Sequence, residues 1–269
     1  MENNKLKIAI LTGDELRHRY YANTLTHEFE VVLVAHEKKA NVHEKTDFGE
    51  TGNDIIAQHF SNRGANEAKY FANPPASKAL KTVSLMTGEV NKIAFVKDLL
   101  KSSPDYILLF GSSLIGDDIL QAFPNKVINL HLGLSPYYRG SGTLFWPLVD
   151  GKPECVGSTI HLAVKKIDAG GILGQVRPEI DPQDGPHDIG NKTILASLAA
   201  IKKLISGYAN GKIYPEYVDM SVGKLCLRKH LSPESIMELN NKMKNGVITR
   251  YLESKHSRDA HVKIVDVQA

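Results

Sequence analysis

Cysteine is scarce: Cys155 and Cys226 are the only two in 269 residues. Two thiols cannot build a disulfide framework or a four-thiolate zinc site, and their scarcity suits a reducing, cytoplasmic setting. Long apolar runs are also missing. The longest, such as residues 106–110, fall far short of the ~20 residues that span a bilayer. The apolar stretch at residues 8–11 is shorter than the ~7–15 residues of a secretion signal's centre. No sign of charge dominates, since 33 Lys and Arg face 30 Asp and Glu for a formal net charge of +3. Such a balance does not call for a nucleic-acid or membrane partner. The turn after the first apolar run reads Thr12-Gly13-Asp14-Glu15, with one glycine where a dinucleotide-binding turn needs three. Among 11 histidines none stands at zinc-ligand spacing, so no metal is expected. Internal repeats and low-complexity segments are absent.

What is present is ordinary globular material, 42% hydrophobic and 23% charged, enough for one sizeable core. Residues 7–12 read as a strand, 15–26 as a helix and 30–35 as a strand, the βαβ unit of a parallel sheet. The alternation resumes with strands at 81–85, 105–110 and 126–131 and helices at 91–101 and 116–123. A short helix at 143–149, a strand pair at 156–164 and 171–179, and a long helix at 187–206 follow. His187-Asp188 at its start matches a metal-dependent phosphohydrolase dipeptide, but without partner ligands it reads as a helix opening. The expected fold is α/β, a Rossmann-like, mostly parallel sheet with helices on both faces, over residues 1–210. Residues 37–80 are polar, lack a strand signal and read as a surface insertion with helix within 54–71. Residues 211–269 read as a small α+β appendage. It would hold a hairpin of 214–219 and 224–228 around Val222-Gly223, a helix at 232–253 opened by Ser232-Pro233-Glu234, and an edge strand at 261–267.

One segment stands apart. Asn129 and His131 sit two residues apart at the end of a predicted strand, so both side chains leave one face. Open α/β sheets bind ligands outside the carboxyl ends of their strands. The pair suits a site, and equally a loop hydrogen bond and a strand end. The loop that follows holds Gly133, Ser135, Pro136, Tyr137, Tyr138, Arg139, Gly140, Ser141 and Gly142. Its glycines allow close backbone approach and its arginine suits an anion; a plain connector has the same composition. Asp168 lies in a flexible turn, Lys166-Ile167-Asp168-Ala169-Gly170-Gly171. By itself that is a hairpin turn, and it gains a role only by folding back beside His131. Arg17, His18 and Arg19 follow the first strand, where a phosphate would meet a helix N-terminus or a solvated helix face would serve. Trp146 reads as core packing.

These residues carry a resemblance. Residues 128–140 (INLHLGLSPYYRG), 157–160 and 161–175 (HLAVKKIDAGGILGQ) resemble the folate-dependent formyltransferases. That family includes glycinamide ribonucleotide, methionyl-tRNA and nucleotide-sugar N-formyltransferases. Its signature is Asn-x-His, a Pro-x-Tyr-Arg-Gly loop and a later Asp-x-Gly, matched in order by Asn129, His131, Pro136, Tyr138, Arg139, Gly140, Asp168 and Gly170. The resemblance implies the formyltransferase fold and 10-formyltetrahydrofolate as formyl donor, with no metal. It implies Asn129, His131 and Asp168 as the catalytic set. Asn129 would donate to the developing oxyanion, and His131 would act as base or as an imidazolium beside it. Asp168 would orient His131 or relay a proton through water. The donor pocket would use Phe110, Gly111, Ser112, Ser113, Leu114 and Ile167, and the acceptor Arg17, Tyr138, Arg139 and Gly140.

The sequence departs from the pattern at His131-Leu132-Gly133, where members often read His-Pro-Ser. The acceptor hydroxyl contact is therefore lost. The last sixty or so residues are fewer than the tRNA enzyme's C-terminal barrel and lack a basic patch. The purine-pathway enzyme lacks an insertion like 37–80, and the hydrolase carries an N-terminal regulatory domain before its first strand. The sugar N-formyltransferases stand nearest. The expected acceptor is the amine of a nucleotide-linked amino sugar, in bacterial-type surface glycan biosynthesis, with a homodimer compatible. The alternatives are another acceptor, a formyltetrahydrofolate hydrolase, or a non-catalytic folate- or nucleotide-binding protein.

Overall fold

A computed structural model describes residues 5–38 and 47–267. Its strands are β1 (Lys7–Gly13), β2 (Glu30–Lys38), β3 (Thr82–Met86), β4 (Tyr106–Phe110), β5 (Val127–His131), β6 (Tyr138–Gly140), β7 (Ser158–Leu162), β8 (Ile172–Val176) and β9 (Lys224–Cys226). Seven of them form one sheet in the order β3-β2-β1-β4-β5-β7-β8. The first five of that order run parallel, and β7 and β8 are antiparallel to their neighbours. The helices are α1 (Leu16–Glu28), α2 (Gly49–Phe71), α3 (Ile93–Lys101), α4 (Asp117–Ala122), α5 (Trp146–Val149), α6 (Pro186–Ala209), α7 (Pro233–Lys244), α8 (Val247–Glu253) and α9 (Lys255–His261).

Successive side chains of a strand face opposite ways, so a sheet covered on both sides reads as an unbroken apolar run. Strand β1 shows it. Ile8 and Ile10 pack with Tyr21 and Leu25 of α1, Phe71 of α2 and Ile201 and Leu204 of α6. Ala9 and Leu11 pack on the other face with Val96 and Leu99 of α3 and Ile119 of α4. The α/β sheet with helices on both faces is as expected.

The structure corrects several details. Strand β2 continues to Lys38, and the insertion holds one helix, α2, that opens at Gly49 rather than near 54; residues 39–46 lie outside the described residues. The polar composition of α2 has a cause. Its buried Asn66 donates to Asp188 of α6 at 2.8 Å and accepts from Asn191 at 2.8 Å, while the Tyr70 hydroxyl donates to Asp188 at 3.1 Å. The other Asp188 oxygen accepts from the Gly185 N–H at 3.0 Å, so His187-Asp188 does open a helix.

No hairpin forms from 214–219 and 224–228. Strand β9 instead pairs in parallel with β6, and Glu216 bridges to Ile172 of β8. The chain passes so close at Gly223 that a Cβ there would lie 1.4 Å from the Pro136 carbonyl oxygen, a passage only glycine permits. The helix expected over 232–253 breaks at Gly246 (φ +74°) into α7 and α8. The expected strand at 261–267 does not form; the segment is held instead through Gln175, whose N–H donates to the Val265 carbonyl at 2.7 Å and whose side chain accepts from the Val265 N–H at 2.9 Å. Leu239, Val247, Ile248 and Tyr251 share one apolar cluster with Leu148, Val156, Ile180 and Ile189. Trp146 packs in a cluster with Leu134, Tyr138 and both cysteines, as a core residue.

Candidate active site

Asn129 and His131 leave the carboxyl end of β5. Strand β7 lies antiparallel beside it, with His161 opposite Asn129 and Thr159 opposite His131. Thr159 pegs the loop beyond the strand: its hydroxyl donates to the Gly133 carbonyl at 2.6 Å and accepts from the Ser135 N–H at 3.0 Å. Gln175 adds a donor to the Ser135 carbonyl at 2.7 Å. The turn between β7 and β8 then reverses sharply. Asp168 takes a left-handed backbone (φ +48°), which aspartate tolerates better than most residues. A Cβ at Gly170 would lie 1.8 Å from the Leu162 carbonyl oxygen. The turn thus folds the Asp168 carboxylate back under β5.

The three residues expected to act together do meet. An Asp168 oxygen lies 3.4 Å from His131 Nδ1 and accepts from the Gly140 N–H at 3.0 Å. His131 Nε2 lies 3.3 Å from the Tyr138 carbonyl oxygen. His161 joins them, a residue the motif alone does not single out. Its Nε2 lies 3.6 Å from the other Asp168 oxygen and accepts from the Asn129 amide at 3.1 Å. Its Nδ1, 2.8 Å from the Leu162 carbonyl oxygen, carries the hydrogen. The signal that would find it is register: a histidine directly across the ladder from Asn129.

Burial strips water from His131 and pushes its pKa down, against the opposing pull of the Asp168 carboxylate; His161 and Arg139 push the same way as burial, and the Tyr138 carbonyl the other. Burial also disfavours ionised Asp168, but His131 and the Gly140 N–H outweigh it and hold that carboxyl at about 2. The site therefore keeps a neutral base beside a fixed anion. Both ring nitrogens of His131 face acceptors, which stabilise the imidazolium once a proton arrives. Asn129 spends one amide hydrogen on His161 and has a second to offer.

These groups line a cavity of about 1460 Å³, together with Phe110, Gly111, Ser112, Ser113, Leu114, Ile167, Arg17 and Gly140. Gly111 needs its positive φ of +69°, and a Cβ there would meet His18 Nε2 at 2.4 Å. Glu37, buried at the end of β2, accepts from the Ser113 N–H at 2.6 Å and fixes that loop. An acid two residues beyond the apolar run 31–35 is its sequence signal.

Two expected acceptor contacts turn away. The Tyr138 hydroxyl donates to Asp150 at 2.7 Å, and the Arg139 guanidinium to the Met220 carbonyl at 2.9 Å. Neither side chain lines the cavity, because pairing with β9 commits β6 to the C-terminal segment. What Tyr138 gives the site is its carbonyl. Arg17 does line the cavity, ion-paired to Glu15 and Glu67.

Gly133, the departure from His-Pro-Ser, also has a physical reading. A Cβ there would lie 2.6 Å from His131 Nε2 and 2.7 Å from Thr143 Cβ. Gly133→Ala should displace the imidazole. Displacements of this kind cost about 10²-fold in rate per ångström, so kcat should fall by about 10–10²-fold, with a stability loss of about 1–3 kcal/mol from overpacking; an unaltered kcat in the folded variant would show that the ring position is not critical.

Residues 7–203 match the family model described as formyl transferase. Solved structures share the fold. Phosphoribosylglycinamide formyltransferase from Anaplasma phagocytophilum is 17% identical with a TM-score of 0.54, over 82% of this chain and 98% of that one. A 4-N formyltransferase from Francisella tularensis is 18% identical with a TM-score of 0.54, over 84% and 78%. The N-formyltransferase from Helicobacter canadensis, in complex with folinic acid and dTDP-3-aminofucose, is 15% identical with a TM-score of 0.51, over 84% and 72%. The family match runs from β1 into α6 and takes in the whole meeting point of Asn129, His131 and Asp168, so the chain belongs to the formyl transferase family and is an enzyme of folate-dependent formyl transfer.

Proposed function

We propose that the enzyme moves a formyl group from 10-formyltetrahydrofolate to the amine of a nucleotide-linked amino sugar. The observation that carries this reading is that the cavity does not stop at the catalytic groups. It runs from the Phe110–Leu114 loop past His131 to a second wall built by α2, α5 and the start of α6. Its volume of about 1460 Å³ exceeds the ~300–1,000 Å³ of most single-ligand pockets. The donor fits the first side, whose apolar rim exposes Leu114 and Ile167. The second side has room for an acceptor larger than an amine. The dTDP-3-aminofucose bound in the Helicobacter canadensis neighbour is a nucleotide-linked amino sugar.

The donor brings an activated formyl carbon and a nitrogen that leaves. Asn129 donates its free amide hydrogen to the formyl oxygen as negative charge develops. His131, neutral at rest, takes the proton that the attacking amine loses as its bond to the formyl carbon forms, and returns it to the folate nitrogen as the old C–N bond breaks and tetrahydrofolate leaves. Asp168 stays ionised, orients the ring and stabilises the imidazolium.

The test is tetrahydrofolate release from 10-formyltetrahydrofolate, followed by absorbance against a panel of nucleotide-linked amino sugars, glycinamide ribonucleotide and methionyl-tRNA. Release that depends on a nucleotide-linked amino sugar is expected. Release without any acceptor would make the enzyme a hydrolase, and release with glycinamide ribonucleotide or methionyl-tRNA alone would overturn the sugar acceptor.

A further inference from the structure

Helix α2 brings a set of side chains to the cavity that the formyl-transfer chemistry does not use. His59, Phe60 and Arg63 line its far wall, facing His187 of α6 and Phe145 beside α5. The rings form a step. His59 lies 4.9 Å from His187 and 5.6 Å from Phe145, centroid to centroid. Arg63 sits over the Phe60 ring at 4.9 Å.

The cations here are unequal. Arg17 is nearly buried and bonded to both Glu15 and Glu67. Arg63 is 38% exposed and meets the same carboxylates only at 3.7 and 3.5 Å, beyond bidentate hydrogen bonding. It lines the cavity, in a place where burial and the Arg17 charge weaken its hold on the proton against the pull of Glu15 and Glu67. Glu15 is the most exposed member of the cluster, 42%, and is the counter-ion that an incoming anion can displace. The wall is also preorganised. The His187 ring bonds the His59 backbone, and Asn66, Asn191, Tyr70 and Asp188 lock α2 to α6.

We propose that this wall is the subsite for the nucleoside diphosphate half of the acceptor, with Arg63 holding phosphate and the His59–His187 step taking the base. A guanidinium fork suits phosphate oxygens in bidentate fashion. Flat rings at the edge of a cavity suit a nucleobase, which offers a π-face whatever its identity. The assignment rests on the nucleotide-linked acceptor proposed above. It moves acceptor recognition from Tyr138 and Arg139, which face the C-terminal segment, to the segment between β2 and β3.

Calorimetric titration of the full chain with UDP, dTDP, the matching nucleosides and folinic acid tests it, alongside Arg63→Gln and His187→Ala. Wild-type protein should bind a nucleoside diphosphate about tenfold or more tightly than its nucleoside. Arg63→Gln should weaken UDP and dTDP by about tenfold while leaving nucleoside affinity near the wild-type value. His187→Ala should weaken nucleoside and diphosphate alike. Folinic acid binding, retained in each variant, reports that the fold is intact. Equal affinity of Arg63→Gln and wild type for UDP and dTDP would overturn the subsite and leave the proposed acceptor standing. A wild-type protein that binds folinic acid but no nucleotide would overturn both.

Discussion

Replacing His131 with alanine should lower kcat by about 10²–10⁴-fold, the range of a lost general acid–base group. Among the described residues this ring joins three needs at once. It is neutral by burial, it touches the Asp168 carboxylate at 3.4 Å, and it lies on the same strand face as Asn129. Its removal leaves Asn129 and both sides of the cavity in place, so substrate binding should persist while the proton has nowhere to go. Single-turnover transfer measures the loss, with folinic acid binding as the check on the fold. A variant that retains wild-type kcat would end the assignment of His131 as the base. The same substitution also alters acid stability. The unfolded chain protonates this histidine near 6.5, whereas in the folded chain burial pushes that event lower. Between those two values the unfolded state holds the extra proton, so stability falls as pH drops through the window. His131→Ala removes that component of the slope.

Asp168→Asn should lower kcat by about 10³-fold, because an amide neither charges the ring's neighbourhood nor accepts equally from Nδ1. Its pH signature separates it from a merely structural change. Asp168 favours the charged form of His131, so its neutralisation lets the histidine pKa fall further. The acid limb of kcat against pH, set by the need for neutral His131, should move to lower pH in the variant. An acid limb that stays put would overturn the direct coupling. Stability responds in a second, more acidic window. The Asp168 carboxyl ordinarily titrates at 3.8 and is held at about 2 in the fold. The unfolded chain therefore takes up the proton first, and a stabilisation of about 2 kcal/mol is whole above pH ~4 and fades toward pH ~2. Asp168→Asn should lose that fade, as measured by denaturant unfolding across the acid range.

The strands of the sheet were legible because their apolar runs are unbroken, and the Asn129–His131 pair because a strand's period of two admits no other placement. Asp168 was legible as a turn residue, but its approach to His131 depends on a left-handed backbone and on Gly170, which spacing alone does not reveal. His161 was hidden because its role comes from cross-strand register with a strand about thirty residues earlier. Helix α2 was half seen. Its buried face mixes Gly52, Asn66 and Glu67 with Ile56 and Phe71, so hydrophobic periodicity places its start late and misses its place beside α6. The side-chain partners of Tyr138 and Arg139 are hidden for a similar reason. A three-residue pairing with β9, whose Lys224 stands opposite Tyr138 from 86 residues later, carries no local pattern to betray it.

That β6–β9 pairing has a consequence for how the enzyme comes into being. Asn129, His131 and Asp168 lie within forty residues of one another, joined by a local antiparallel pair. The strip of wall formed by Leu225, Leu227 and Arg228 is drawn from far later in the chain. Contacts of long sequence separation close after local ones, since the intervening loop must first be ordered. On a ribosome the catalytic groups can assemble while the strip beside them is still being synthesised. A nascent chain would then hold its reactive centre in an unfinished vessel, and competence for transfer would arrive as a late event of maturation.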